Sequence, residues 1–213
     1  MERPHLGKLL ATALIVGFFA WTAIRAVGAR PAETPNAALF PKPAIDAPLA
    51  NSSASQSAVF AGGCFWGVQA VFEHVKGVKS AISGYSGGRV KSPSYEVVSM
   101  GVTGHAESVQ VTYDPSQITY GQLLMVYFSV AHDPTQLNRQ GPDWGSQYRS
   151  AIYFHTPEQE AAARASKETL EKAHRYSKPI VTQIVPAVTF YPAEEYHQQY
   201  LEKRGQASCH VKA

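Results

Sequence analysis

A cysteine that could act as a nucleophile, Cys64, lies in the stretch AGGCFWG, between two glycines and two large aromatic residues. The chain has 213 residues and one other cysteine, Cys209, in the C-terminal sequence GQASCHVKA. A thiolate is a strong nucleophile, and it can be oxidised to a sulfenic acid or a disulfide. The two sulfurs therefore suggest a structural disulfide, a cysteine nucleophile or a redox pair.

The elements predicted around Cys64 favour a reactive thiol. Residues 57–63 are typical of an apolar strand, and the spacing of apolar residues predicts a helix over residues 65–74. Cys64 then falls at a strand-to-helix turn. At that point the positive end of the helix dipole and the first backbone N–H groups favour the thiolate.

The remaining elements predict a mixed architecture. Strand patterns cover residues 79–85, 108–113, 151–155 and 180–185, and helical patterns cover residues 120–131, 156–174 and 193–204. Thr156 and Pro157 are typical of a helix start, and Gly205 is typical of a helix end. Because strands and helices alternate without a regular repeat, we expect an α+β domain of two layers.

The first 56 residues predict a leader followed by a tether. An uncharged stretch over residues 9–24 precedes Val27-Gly28-Ala29, a small-residue sequence of the kind that signal peptidases cut. We expect export, to the periplasm if the organism is bacterial, with residues 1–29 removed; the alternative is an uncleaved inner-membrane anchor over residues 9–24. Residues 30–56 are rich in Pro, Ala and Ser, which predicts a flexible tether.

The position of Cys209 bears on the choice between a disulfide staple and redox chemistry. Two cysteines in an exported protein are most often structural partners. Cys209, however, lies four residues from a hydrophilic C-terminus, where a staple would stabilise little. A mobile end that brings a second thiol to a reactive first thiol is what a resolving cysteine requires, so this context favours a redox pair.

Five segments together resemble one enzyme family. Gly63-Cys64-Phe65-Trp66-Gly67 resembles the GCFWG signature of the A-type peptide methionine sulfoxide reductases. The later segments that resemble that family, in its order, are GYSGGRVKSPSY (84–95), GHAE (104–107), HDPTQLNRQGPDWGSQYRSA (132–151) and YPAEEYHQQYL (191–201). The resemblance implies a catalytic domain over residues 57–213 that reduces methionine S-sulfoxide. With it we expect a two-layer α/β sandwich, with a ferredoxin-like core and a mixed sheet.

The resemblance also implies how the substrate is held and attacked. Cys64 would attack the sulfoxide sulfur, while Phe65 and Trp66 would form the apolar pocket that receives the methyl group. This is physically reasonable, because the methyl group is the only apolar part of the oxidised end. Without the resemblance, the two aromatic residues would be assigned to the core.

Attack on a sulfoxide places negative charge on its oxygen, so proton donors are needed beside it. By resemblance, Glu107 is the acid, Tyr95 and Tyr148 are phenols that hydrogen-bond the oxygen, and Asp143 helps to hold the site. An apolar pocket should raise the pKa of Glu107. Taken alone, Glu107 would be a solvated residue on a strand edge, and the two tyrosines would be ordinary half-buried residues.

The expected product on Cys64 is a sulfenic acid, which Cys209 would convert to a disulfide. By resemblance, a thioredoxin-like reductant then restores both thiols, and the substrates are oxidised proteins or peptides.

We expect a monomer without cofactor or metal, and the thinly spread net charge of +3 argues against nucleic-acid binding. At position 69 many members of the family have glutamate, whereas this chain has Gln69. The glutamine should leave one negative charge fewer near Cys64.

Five other interpretations compete. Gly84-Tyr85-Ser86-Gly87-Gly88 fits the nucleophile elbow of a serine hydrolase, but residues 89–95 show little helical pattern. Cys64 with a histidine base would make a cysteine hydrolase. His105 and Glu107 resemble part of a zinc deaminase motif without its thiolates, and a Glu194–His197 metal pair is more typical of a solvated helix face. An exported binding module stapled by its two cysteines is the alternative without catalysis.

Overall fold

The computed structural model describes residues 40–206. The predicted leader, the start of the predicted tether and Cys209 lie outside the described residues. The helices and strands are β1 (Gln56–Gly62), α1 (Phe65–Glu73), β2 (Val78–Ser86), α2 (Tyr95–Ser99), β3 (Ala106–Tyr113), α3 (Tyr120–Val126), β4 (Arg139–Gln140), β5 (Asp143–Trp144), β6 (Ser150–Phe154), α4 (Pro157–Lys172), β7 (Gln183–Pro186), β8 (Tyr191–Pro192) and α5 (Tyr200–Lys203).

Six of these strands form one sheet in the order β7-β6-β1-β3-β2-β8. The pair β6–β7 is parallel and the other pairs are antiparallel. The expected mixed sheet and α+β class are therefore confirmed. The strands β4 and β5, of two residues each, form a separate antiparallel hairpin.

The main core lies between one face of the sheet and the helices. Successive strand residues point to opposite faces. In β1, Ala58 and Phe60 accordingly join the main core with residues of α1, α3 and α4, whereas Val59 and Ala61 join a smaller cluster on the other face. The helices thus cover one face of the sheet, which gives the two layers that were expected.

Local capping sets the helix starts. The Thr119 side chain accepts the backbone N–H of Gln122 at 3.1 Å and begins α3. The Thr156 side chain does the same for Gln159 at 3.3 Å and begins α4, with Pro157 as its first residue. The start predicted at Thr156 is confirmed, because a proline at the first helical position loses no hydrogen bond.

One predicted helix is wrong. Residues 193–204 form a 3₁₀ turn at Glu195–His197 and then α5, with Gln199 between them at φ 54°. The Gln198 side-chain amide accepts the backbone N–H of Ser83 and donates to its carbonyl, both at 2.9 Å. It thus makes the two hydrogen bonds that a neighbouring strand would make with this residue of β2. These contacts across the fold hold the chain out of a continuous helix.

Three smaller differences follow from backbone geometry. The strand predicted over residues 180–185 begins only at Gln183, where it pairs with β6. The helix predicted over residues 120–131 is α-helical to Val126 and continues as a π-helical turn, Tyr127–Ala131. The short helix α2 was not predicted, since five residues give too little periodic pattern.

Residues 40–55 belong to the predicted tether, and they contact the domain. The Asp46 carboxylate accepts the backbone N–H of Gly121 at 2.9 Å, at the start of α3. Ala54 donates its N–H to Asp114, and the Arg175 guanidinium lies 4.8 Å from the centre of the Phe40 ring. Within residues 40–206, no helix combines the length and the apolar character that crossing a membrane requires.

Candidate active site

Cys64 is the N-cap of α1, half-buried at the turn between β1 and that helix. Its carbonyl accepts the N–H groups of Gly67 and Val68, at 3.2 and 3.4 Å. Gly63 has a φ of 92°, and a Cβ at this position would lie 2.5 Å from Gln140 Cβ, so the turn needs glycine. The predicted strand-to-helix position of Cys64 is confirmed, and the helix dipole there favours a thiolate.

Glu107 lies beside this turn because of its strand position. It is in β3, a central strand of the sheet, with the same alternation as Val109 and Val111, which belong to the core on the helix side. Its side chain is 2% exposed, and one carboxylate oxygen accepts the N–H of Phe65 at 2.9 Å. The alternative of a solvated glutamate on a strand edge is therefore wrong, and this carboxylate adjoins the first residue of α1.

The aromatic residues after Cys64 take different positions. Phe65 is 1% exposed, and its ring lies 6.3 Å from that of Tyr95 and 5.1 Å from that of His197. Trp66 is half-buried and stacks on Tyr200, with ring centres 3.7 Å apart and planes 7° from parallel. Its indole N–H donates to His197 Nδ1 at 3.0 Å. Phe65 is therefore buried within an aromatic cluster next to Cys64, and Trp66 is the member of the pair that stays partly accessible.

The two predicted phenols come from separate elements. Tyr95 is the first residue of α2, and Tyr148 ends a 3₁₀ turn, Ser146–Tyr148. Burial, followed by the negative charge of Glu107, raises the pKa of both phenols, and Cys64 contributes in the same direction. Both phenols therefore keep their protons at neutral pH and can donate hydrogen bonds. The structure brings Cys64, Glu107, Tyr95 and Tyr148 together.

Asp143 approaches the same region through the β4–β5 hairpin. It is half-buried and lies opposite Gln140, the residue that lies against Gly63. After burial and Glu107, Asp143 is the next contribution that raises the pKa of Tyr148. The hairpin thus places Asp143 near the phenol and behind the cysteine turn.

Two residues of the site were assigned wrongly from the sequence. His197 is 2% exposed and belongs to the aromatic cluster around Phe65 and Trp66, and Glu194 accepts hydrogen bonds from Tyr85 and Tyr95. The solvated helix face expected for this pair is wrong, because residues 193–204 do not form that helix. The aromatic residues of YPAEEYHQQYL were the signal that this segment packs against the domain; Tyr191 and Tyr200 are partly buried, whereas Tyr196 is exposed.

Gln69 has a structural role that the sequence did not indicate. Its amide nitrogen donates to the Ala81 carbonyl at 2.9 Å and to Gln198 Oε1 at 3.2 Å. Its oxygen accepts from Ser83 Oγ and from the backbone N–H of Gln199, at 2.8 and 3.1 Å. A carboxylate cannot donate the first two bonds. Glutamine at this position therefore joins α1, β2 and the C-terminal segment.

The serine hydrolase alternative is contradicted by the local geometry. Ser86 is the last residue of β2, and no helix follows it directly, since α2 begins only at Tyr95. A nucleophile elbow requires a strand, a sharp turn and a helix in immediate succession. Within residues 40–206, no three His, Cys, Asp or Glu side chains form a group that could hold a metal ion.

Comparison with known proteins identifies the family. Residues 56–213 match the model of the family described as peptide methionine sulfoxide reductase. A peptide methionine sulfoxide reductase MsrA 2 of Mesorhizobium japonicum is 61% identical over 147 residues, which cover 69% of this chain and 75% of that protein. An MsrA of Acidobacterium capsulatum is 54% identical over 154 residues, which cover 72% of this chain and 98% of that protein.

Solved structures agree with this assignment. Methionine sulfoxide reductase A of Corynebacterium diphtheriae is 36% identical with a TM-score of 0.66, covering 75% of this chain and 79% of that one. Reduced Mxr1 of Saccharomyces cerevisiae is 33% identical with a TM-score of 0.68, covering 75% of this chain and 93% of that one. With a family match over most of its length and the predicted site residues brought together, the chain belongs to the A-type peptide methionine sulfoxide reductases and is a peptide-methionine (S)-S-oxide reductase.

Proposed function

We propose that the chain reduces methionine S-sulfoxide, free or in proteins, through direct attack of the Cys64 sulfur on the sulfoxide sulfur. The observation that carries this mechanism is the buried Glu107 carboxylate, which accepts the Phe65 N–H at 2.9 Å beside the N-cap cysteine. A nucleophile at a helix start and a carboxyl group next to it are the two groups that oxygen transfer from sulfur requires.

In the first step the Cys64 sulfur bonds to the sulfoxide sulfur, and the sulfoxide oxygen takes a proton from Glu107. The oxygen then transfers to Cys64, and both the S–O bond of the substrate and the transient bond between the two sulfurs break. The products are methionine and a Cys64 sulfenic acid, so the substrate sulfur is reduced by two electrons and the cysteine sulfur is oxidised by two. The Cys64 thiol proton replaces the one that Glu107 gave.

Two phenols support the same oxygen. Tyr95 and Tyr148 have raised pKa values and remain protonated, so each can donate a hydrogen bond as negative charge develops on the oxygen. Phe65 and Trp66 supply the apolar surface that receives the methyl group. A site that presents O–H donors to the oxygen and an apolar surface to the methyl group is chiral, so it should distinguish the two sulfoxide epimers.

In the second step the Cys209 thiol attacks the Cys64 sulfenic acid, a disulfide forms, and water leaves. A dithiol reductant of the thioredoxin type then reduces the disulfide and restores both thiols. This part of the proposal rests on the resemblance to the family and on the position of Cys209 after α5 in the sequence.

The decisive experiment measures methionine formed in a single turnover without reductant, from each sulfoxide epimer separately. We expect one methionine per enzyme from the S epimer, none from the R epimer, and none from Cys64→Ser. Equal rates on both epimers would contradict the proposed arrangement of donors and methyl pocket. Product formed by Cys64→Ser would contradict the nucleophile.

We also propose that the chain is exported and repairs oxidised proteins outside the cytoplasm. The support is the sequence of residues 1–29, with its apolar stretch and small-residue cleavage sequence. N-terminal sequencing of the mature protein from its native host distinguishes removal after Ala29 from retention as an anchor. An intact N-terminus on a protein found in the cytoplasmic fraction would contradict both forms of the proposal.

A further inference from the structure

Glu194 makes two hydrogen bonds that join the C-terminal segment to the site. Tyr85 donates its hydroxyl to one carboxylate oxygen at 2.8 Å, and the backbone N–H of Tyr95 donates to the other at 2.9 Å. We propose that Glu194 is a positioning residue for oxygen transfer, which holds the start of α2 so that the Tyr95 phenol stays beside Cys64 and Glu107. This inference rests on the proposed role of Tyr95 as a hydrogen-bond donor to the sulfoxide oxygen.

The start of α2 depends on a contact from outside the helix. The helix has five residues, and its N-cap, Ser94, makes no side-chain capping bond. The first N–H groups of any helix have no acceptor within it, and a helix this short is not stable without tertiary contacts. Glu194 supplies the acceptor for the first of these groups, the N–H of Tyr95. It therefore holds the backbone of the residue whose phenol enters the site.

Glu194 is itself held on both sides. The preceding residue, Ala193, donates its N–H to the Ser83 carbonyl of β2 at 2.9 Å, and the Glu194 carbonyl accepts the N–H of His197 at 2.9 Å. Tyr85, its other partner, lies directly opposite Glu107 in the pairing of β2 with β3. The Glu194 carboxylate thus links two parts of the site. One is Tyr85, which lies opposite the proposed acid Glu107, and the other is the backbone of Tyr95, the proposed phenol donor.

The charge of Glu194 strengthens both bonds. Burial raises its pKa, but the hydrogen bonds from backbone N–H groups and from Tyr85 outweigh that effect, and the net pKa lies below the usual glutamate value. The carboxylate is therefore ionised at neutral pH. Hydrogen bonds to an ionised acceptor are about twice as strong as neutral ones, so this contact can fix the backbone of Tyr95 firmly.

The experiment compares variants by the single-turnover rate of methionine formation and by the substrate concentration that gives half of that rate. In Glu194→Ala we expect the rate to fall about 10-fold, which corresponds to the loss of one well-placed hydrogen bond. The half-saturating concentration should not change, because the methyl pocket of Phe65 and Trp66 is intact. Glu194→Gln keeps an acceptor for the Tyr95 N–H and should retain the rate within about threefold.

A double-mutant cycle with Tyr95→Phe tests whether Glu194 acts through the phenol. Tyr95→Phe alone should slow the step, and adding Glu194→Ala should then slow it by no more than about twofold, because coupled residues are not additive. Equal loss in both backgrounds would overturn the inference, as would a wild-type rate for Glu194→Ala. A wild-type rate for Tyr95→Phe alone would instead show that the proposed function is wrong about the phenol.

Two controls separate positioning from general loosening of the C-terminal segment. Tyr85→Phe removes the other bond of the same carboxylate and should keep at least half of the rate. A loss as large as that of Glu194→Ala would mean that attachment of the segment matters, not Tyr95, and would overturn the inference. Glu195→Ala changes the adjacent exposed glutamate, which lies 3.7 Å from Lys203, and should leave the rate unchanged.

Discussion

At the scale of single residues, the site combines a cysteine at a helix start with a buried carboxyl group. The environment of Glu107 has two opposing effects, since burial disfavours a charged carboxylate while the N–H of Phe65 favours it. A sulfoxide oxygen that enters the site adds an acceptor for the carboxyl proton. In the proposed mechanism, substrate binding would therefore favour the protonated form of Glu107.

Replacement of Glu107 by glutamine keeps the shape and an acceptor for the Phe65 N–H but removes the proton. We expect Glu107→Gln to slow sulfenic acid formation on Cys64 by about 10²- to 10⁴-fold, the range typical of acid–base groups. The measurement is single-turnover methionine formation, with the sulfenic acid trapped and counted by mass spectrometry. Formation at the wild-type rate would mean that Glu107 is not the acid.

At the scale of elements, a buried polar network supports the cysteine turn from behind. The Tyr127 hydroxyl donates to the Ala61 carbonyl at 2.8 Å and lies 2.9 Å from Ser150 Oγ. His132 Nδ1 donates to the Tyr127 carbonyl at 3.1 Å, and Nε2 lies 2.7 Å from Ser150 Oγ. Its ring contacts Gly62, at 3.0 Å from the position of an added Cβ. The network thus joins β1, β6 and the end of α3.

This network predicts a pH dependence of stability. Burial lowers the pKa of His132 to about 4, against about 6.5 in the unfolded chain, so the unfolded state binds more protons between these values. The contribution of His132 to the free energy of unfolding is therefore fully present above about pH 6.5. It is lost as the pH falls towards 4, where the free energy of unfolding is lower by about 3 kcal/mol. The free energy of unfolding should therefore fall more steeply with acid in the wild type than in His132→Asn. Equal slopes would contradict a buried neutral His132.

At the scale of the whole molecule, the two chemical steps use different parts of the chain. In the proposed mechanism, oxygen transfer needs the residues around Cys64, whereas recycling needs Cys209, which follows α5 in the sequence. The segment before α5 contacts the site through Trp66 and His197 and through Gln69 and Gln198. The segment before α5 therefore lies against the site of Cys64.

We expect Cys209→Ser to separate the two steps. One methionine per enzyme should form at close to the wild-type rate, and turnover with a thioredoxin-like reductant should then stop, because the Cys64 sulfenic acid lacks its internal partner. The measurement pairs a single-turnover assay with a steady-state assay. Normal steady-state turnover of Cys209→Ser with thioredoxin would contradict the resolving role.

The sequence predicted those features that depend on neighbouring residues. The strand-to-helix turn at Cys64, the helix start at Thr156 and most of the strands of the sheet follow from periodicity and capping over a few residues. The resemblance of five segments also identified the family correctly. These features depend on residues that are close in the sequence, so the sequence alone is enough to predict them.

The tertiary structure decided the features that depend on residues far apart in the chain. Phe65 and Glu107 are 42 residues apart, and Trp66 and His197 are 131 residues apart. No local pattern reports such contacts, and for that reason Glu107 resembled an exposed strand residue and residues 193–204 resembled one helix. Glu107 lies in the site because the sheet and the helices bury it. The predicted helix over residues 193–204 is interrupted because Gln198 and Gln199 form hydrogen bonds with Ser83 and Gln69.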